Sequence, residues 1–350
     1  MKLSVVIPNR NDSVMLAVTI RSCLEELKSI DNDGEIVVVD NSDQDVWKVI
    51  STVNVSPFNL GYVEEERVRL IRQPYPCLYS ARDYAVRNAR GQYVYNMDSH
   101  TVVGHNSFRD LVEFMDSAGP RVGMGFAPIG WLAQHELYAR HDLRTDQGTI
   151  FGNWGRLYDT PTKICWNFGS RIVDRKWFTD IHGGYDFYAD KRLSWGGGEM
   201  YCALKTWLLG YENWAVPCSP QYHIGPFSEQ VQKLGYRYRL YGSSGNGQVG
   251  FGVLAAFYGL AGEDGLEEAK KAGSGLRQYG IDVDRDWPKA REVALETWER
   301  NKPRFTTTLA EFVAAQPWME GWDDQRWKAW KPQEKIVVRQ DLSKLPVLPI

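Results

Sequence analysis

Apolar and polar positions in the first 125 residues switch repeatedly between two periods. Residues 3–8 are a short apolar, β-branched run that ends in the polar Asn9-Arg10-Asn11-Asp12. Across residues 13–30, Leu16, Ile20, Leu24 and Leu27 recur at steps of three and four, which places them on one helical face. Residues 35–40 form a second apolar strand ending on Asp40, residues 68–72 a third, and residues 92–98 a fourth ending on Asp98. Residues 80–90 read as a helix closed by Gly91. Apolar strands alternating with helices predict an α/β fold, with a parallel sheet covered on both faces. Ligands of such sheets sit beyond the carboxyl ends of the strands, so Asn9, Asp40 and Asp98 are expected along one edge.

The pattern then changes. Residues 126–228 are rich in loop signals, Trp, Gly and single histidines, with one clear helix at 199–209. Residues 233–241 are basic and aromatic, and a Gly/Ser/Asn loop is expected at 242–247. Helical spacing returns at 253–280 and 288–300, and six tryptophans lie between Trp287 and Trp330. The least charged stretch, 248–262, holds four glycines and falls short of the ~20 apolar residues of a spanning helix. The opening apolar run is too short for a secretory signal. A soluble, cytoplasmic protein with no membrane partner is expected.

Composition narrows the class. The 350 residues are 43% hydrophobic and 24% charged, the balance of a globular protein with a real core. Lys plus Arg number 41 against 44 Asp plus Glu, so a general polyanion binder is disfavoured, while a local basic face stays open. Five scattered cysteines without a C-x-x-C pair read as reduced thiols. Fourteen Trp and 18 Tyr suit either core packing or stacking on sugars and bases.

Three polar features stand out. Asp98-Ser99-His100 ends the fourth strand, and residues i and i+2 of an extended chain face the same way, so both can reach one ion. A carboxylate and an imidazole suit Mn²⁺, Fe²⁺, Co²⁺ or Zn²⁺ better than Mg²⁺, and a third ligand must come from elsewhere. Trp195-Gly196-Gly197-Gly198-Glu199 opens a helix. Its glycines permit close backbone approach to a ligand or loop movement. Glu199, in the first turn, either complements the helix dipole or serves chemistry. Pro217-Cys218-Ser219 leads to His223, by itself a structural histidine or a ligand.

Taken in order, these features resemble the GT-A fold glycosyltransferases, in particular family 2 and the polypeptide N-acetylgalactosaminyltransferases. The family 2 likeness begins at Ser4-Val5-Val6-Ile7-Pro8-Asn9-Arg10-Asn11 and Val37-Val38-Val39-Asp40-Asn41-Ser42. It continues through Ser80-Ala81-Arg82-Asp83 and Gly91-Gln92-Tyr93 to Met97-Asp98-Ser99-His100. The second half is similar to the N-acetylgalactosaminyltransferases in Phe168-Gly169-Ser170-Arg171, Asp174-Arg175-Lys176-Trp177-Phe178 and Gly183-Gly184-Tyr185-Asp186. Trp195-Gly196-Gly197-Gly198-Glu199, Trp207, Gly210, Pro217-Cys218-Ser219 and His223 follow in the family's order. The resemblance covers roughly residues 1–228.

The resemblance implies a GT-A (Rossmann-like), mostly parallel sheet flanked by helices, with a mainly helical C-terminal extension. Residues 1–228 would be the transferase domain, with 1–125 as its nucleotide-binding half and 126–228 as its acceptor and metal half. Residues 229–350 are assigned to acceptor binding by elimination. The implied reaction moves a sugar from a nucleoside-diphosphate sugar, usually a UDP-sugar, to an acceptor hydroxyl. Asp98, His100 and His223 match the positions that bind Mn²⁺. Pro8, Arg10, Asp40, Asn41, Arg82, Asp98 and Trp195 match donor-binding positions, and Glu199 matches the acceptor-side catalytic carboxylate. The chain departs from the family in its third consecutive glycine, in Met200 where Asn is usual, and in Thr101 where Cys or an acid is usual. Donor sugar and stereochemistry therefore stay open, as does the acceptor: a hydroxymethylpyrimidine in DNA, a protein or a glycan. A nucleotidyltransferase is disfavoured because no G-x-G loop follows the first strand. A non-catalytic sugar-nucleotide-binding protein is disfavoured because it has no need of all of Asp98, His100, His223 and Glu199.

Overall fold

The computed structural model describes residues 1–43, 66–73, 77–131, 137–138, 158–167, 170–189, 193, 196–224 and 245–315. Strands β1 (Leu3–Asn9), β2 (Gly34–Asp40), β3 (Val68–Arg72) and β4 (Tyr93–Asn96) pair in parallel in the order β3-β2-β1-β4. The sheet continues through β10 (Arg171–Asp174), β6 (Val122–Phe126), β11 (Glu212–Ala215) and β9 (Thr162–Lys163), making eight strands. β10 runs antiparallel to both β4 and β6, so the sheet is mixed beyond its four parallel strands.

Both faces of the sheet are covered, which is why its strands read as continuous apolar runs. Alternate residues of β1 and β2 divide between two cores. Leu3, Val5, Ile7, Ile36 and Val38 pack with helix α1 (Ser13–Leu27) and helix α3 (Ser107–Ser117). Val6, Val37 and Val39 face the other way, onto α2 (Leu78–Asn88). Full burial of one such side chain contributes ~1.5–3 kcal/mol, so a one-residue slip of register would be costly. Pro8 sits on β1 without loss: Val6 bonds β4 through Met97, and that ladder ends before Pro8 would need an N–H on the same side.

The C-terminal helices belong to the second core. Helices α4 (Gly198–Leu208), α5 (Gly245–Ala261), α6 (Gly265–Lys271), α7 (Gly273–Gln278), α8 (Val283–Asn301) and α9 (Leu309–Ala315) follow β10 in the chain. Val253, Phe257, Trp287, Ala290, Leu309 and Phe312 join the same buried cluster as Val6 and Val37. The expected loop at 242–247 is corrected at its end, because residues 245–247 already belong to α5. The glycines of this helix serve packing. A Cβ on Gly252 would lie 2.3 Å from the carbonyl oxygen of Gly196, and one on Gly250 would lie 2.5 Å from Ile281. Among the described residues, no helix is long and apolar enough to cross a membrane. All five cysteines are free.

A second sheet has the order β5-β12-β7-β8, with β5 (Thr101–Val102), β7 (Ile129–Trp131), β8 (Leu137–Tyr138) and β12 (Gln221–His223). β12 lies antiparallel to β5, with His223 opposite Thr101.

Candidate active site

The parallel strands reverse their order between β1 and β4, and the polar residues gather at that switch point. On the β1–β2 side, Asn9 stands opposite Asp40 and donates to its Oδ1 at 2.8 Å. Ser42 Oγ donates to the same oxygen at 2.5 Å, and Arg72 ion-pairs with Asp40. Asp40 is fully buried by these partners. Arg10, half-buried, donates to the carbonyl of Asn41 at 3.0 Å. The side chain of Asn41 is 4% exposed, and neither its Oδ1 nor its Nδ2 has a hydrogen-bond partner. A buried amide normally finds partners, and among the described residues this one has none.

On the β4 side, Asp98, His100 and His223 converge, with one ligand atom from each within 4.8 Å of the others. Asp98 and His100 do not meet by strand alternation. β4 stops at Asn96, and the chain turns through Ser99 and His100 into β5. The turn is held by α1: Thr19 Oγ1 donates to the Ser99 carbonyl at 2.8 Å and accepts from the Thr101 amide at 3.1 Å. The small sheet supplies the third member, since Ile224 N–H donates to the His100 carbonyl at 2.8 Å and brings His223 alongside. The two Nε2 atoms stand 3.0 Å apart, and His223 Nε2 lies 3.7 Å from Asp98 Oδ2. Ligands bound at roughly 2.0–2.2 Å sit up to about 4.4 Å apart on one ion, so this set fits a divalent metal after small side-chain rotations.

The electrostatics of the three groups differ. Burial would raise the Asp98 carboxyl, but Arg82, His100 and His223 together hold it down at about 2. Burial, reinforced by the nearby His100, pushes His223 down to about 3. Burial also opposes charge on His100, but the hydrogen bond and charge of Asp12 prevail and raise it. Near neutral pH, an ionised Asp98 and a neutral His223 are therefore in the forms that ligate metals.

Arg82 connects this cluster to Glu199. It is 2% exposed, and its guanidinium ion-pairs with Asp98 through Nη2 and with Glu199 through Nη1. The other Glu199 oxygen accepts from the Tyr79 hydroxyl at 2.7 Å, and that hydroxyl accepts from Gly198 N–H at 3.1 Å. The glycine run is shaped for this contact. Gly196 and Gly197 have φ of 102° and 74°, and a Cβ on Gly198 would lie 2.5 Å from the Tyr79 ring.

Asp98, His100, His223, Arg82 and Glu199 are thus linked in one network, while Pro8, Arg10, Asp40 and Asn41 lie along the adjoining strand ends. Trp195 and residues 233–241 lie outside the described residues. Sequence reasoning did not single out Tyr79 or Asp12 as site residues. Both contacts join positions 88 or more apart in the chain, and no local spacing signals them.

Residues 4–161 match the glycosyl transferase family 2 model. N-acetylgalactosaminyltransferase 4 of Drosophila melanogaster is 25% identical over 224 residues, 58% of this chain and 33% of that protein. The crystal structure of GalNAc-T7 with UDP, GalNAc and Mn²⁺ is similar over 90% of this chain and 58% of that one, with a TM-score of 0.58 and 20% identity. S. aureus TarS 1–349 in complex with UDP-GlcNAc is similar over 90% and 81%, with a TM-score of 0.48 and 12% identity. The chain therefore spans about a third of the fly protein and somewhat over half of GalNAc-T7. The expected resemblance and the GT-A fold are both upheld.

Proposed function

We propose that this chain, whose residues 4–161 match family 2 glycosyltransferases, transfers a sugar from a UDP-sugar to an acceptor hydroxyl. The observation that carries the reading is the convergence of Asp98, His100 and His223 at the switch point of the sheet. The unpartnered amide of Asn41 supports uracil as the base, because an amide offers the donor and acceptor that complement uracil O4 and N3–H. Pro8, Arg10 and Asp40 frame that position at the ends of β1 and β2.

Asp98, His100 and His223 would hold Mn²⁺, which supplies Lewis-acid neutralisation of the departing diphosphate. Arg82 takes one oxygen of Asp98 and leaves Oδ2 turned toward His223. The same guanidinium sets Glu199 relative to the donor site. Each Glu199 oxygen accepts one hydrogen bond and keeps a lone pair, so Glu199 can receive and orient the acceptor hydroxyl. The acceptor is sought first among hydroxymethylpyrimidine DNA, proteins and glycans. A duplex base would have to be flipped from the stack.

A thermal-shift panel of nucleotides and nucleotide sugars, with and without Mn²⁺, tests the reading. UDP at 100 times its Kd should stabilise the fold by about 2.7 kcal/mol, and only when Mn²⁺ is present. Absence of a shift with every nucleotide in the presence of Mn²⁺ overturns it.

A further inference from the structure

His100 has two ring nitrogens, and only one can face the triad. Nε2 lies 3.0 Å from His223 Nε2, while Nδ1 lies 2.8 Å from Asp12 Oδ2. Asp12 is 4% exposed, and the same oxygen accepts from Ser99 Oγ at 3.0 Å. An ionised carboxylate only accepts hydrogen bonds, so the imidazole nitrogen beside it must carry the hydrogen. The lone pair of a neutral His100 then resides on Nε2.

Asp12 also occupies the N-cap of α1, where Asp ordinarily accepts from the first helical amides. Here its side chain makes no such bond and turns instead to Ser99 and His100. A capping role does not account for the orientation. We infer that Asp12 is a positioning residue: it locks His100 in the Nδ1–H tautomer, aims Nε2 at the space shared with Asp98 and His223, and anchors the turn between Asp98 and His100. Its consequence for metal affinity rests on the Mn²⁺ reading above; the tautomer does not.

The test compares wild type with Asp12→Ala and the near-isosteric Asp12→Asn, with His100→Gln identifying the His100 signals. In metal-free protein at high pH, long-range ¹H–¹⁵N spectra of ¹⁵N-histidine should show His100 protonated at Nδ1. In both variants the signal should move toward the Nε2–H form. Titration calorimetry with Mn²⁺ should show affinity weakened ~10–100-fold in the variants, the usual effect of removing a ligand's outer hydrogen-bond partner. An Nε2–H tautomer in wild type overturns the inference. So does an unchanged tautomer with unchanged Mn²⁺ affinity in either folded variant. If wild type binds no Mn²⁺ while its tautomer still responds to Asp12→Asn, the positioning role stands and the metal reading falls.

Discussion

Arg82 and Glu199, 117 positions apart in the chain, meet in an ion pair at the centre of the site, the arginine buried and the carboxylate 15% exposed. Arg82 comes from α2 and Glu199 from the first turn of α4, so the pair joins the helix on the parallel strands to the glycine-led helix. Because Arg82 also holds Asp98, one guanidinium sets the spacing between the Asp98, His100 and His223 cluster and Glu199. A buried arginine with two carboxylate partners is expensive to disturb, since either partner left alone keeps a desolvated charge.

Arg82→Met should therefore destabilise the protein by about 3–5 kcal/mol in urea unfolding. Arg82→Lys should recover part of that loss without recovering turnover, because an ammonium lacks the planar fork that serves two carboxylates at once. Wild-type turnover in Arg82→Lys would refute the bridging role.

His100→Ala and His223→Ala should each abolish Mn²⁺-dependent turnover of the donor while leaving circular dichroism and thermal unfolding close to wild type. Chelation of the wild-type protein should do the same, and added Mn²⁺ should restore it. Full activity in both variants would remove the ligand assignment.

Tyr79→Phe deletes the hydroxyl that donates to Glu199 and accepts from Gly198. A hydrogen bond to a charged group contributes about 1.5–3 kcal/mol, so kcat should fall roughly 10–100-fold. UDP affinity should be unaffected, since the ring lies on the Glu199 side. Steady-state kinetics alongside UDP calorimetry separates the two effects.

Stability should carry a pH signature away from the site. Burial pushes Glu26 up to about 7 from its ordinary 4.5, against hydrogen bonds from Phe108 and Ser29. The folded state binds this proton more tightly than the unfolded chain. The contribution is thus complete below pH 4.5 and lost as the pH rises through 7. Glu26→Gln keeps an acceptor without the charge. It should flatten that slope and exceed wild type by about 1–2 kcal/mol above the transition, as read by urea unfolding at pH 5 and pH 8.

Gly252→Ala places a methyl group 2.3 Å from the Gly196 carbonyl, a backbone atom with little freedom to yield. Overpacking of this kind costs about 1–3 kcal/mol. Thermal unfolding should register the loss, and turnover should drop with it because Gly196 leads directly into Glu199. A melting temperature equal to wild type would show that α5 and the glycine run are not packed as described.

Much of the framework was legible in the chain itself. The short apolar, β-branched runs of β1 and β2, and the spacing of three to four in α1, are local properties, so strand and helix identities followed from neighbours in sequence. Asp40 was placed at the end of β2 by the same local signal, while Asp98 lies just beyond the end of β4. Other features were decided only in three dimensions. His223 reaches His100 because β12 pairs with β5, across 123 positions. Arg82 is buried where the first turn of α4 supplies Glu199 from 117 positions away. Asp12 stood only as one polar residue after the first strand, and the fold turns it toward His100. Side-chain chemistry is written residue by residue, but which charges are buried together depends on how distant elements pack. That packing is a sum over many weak, non-directional contacts that no short stretch of sequence displays.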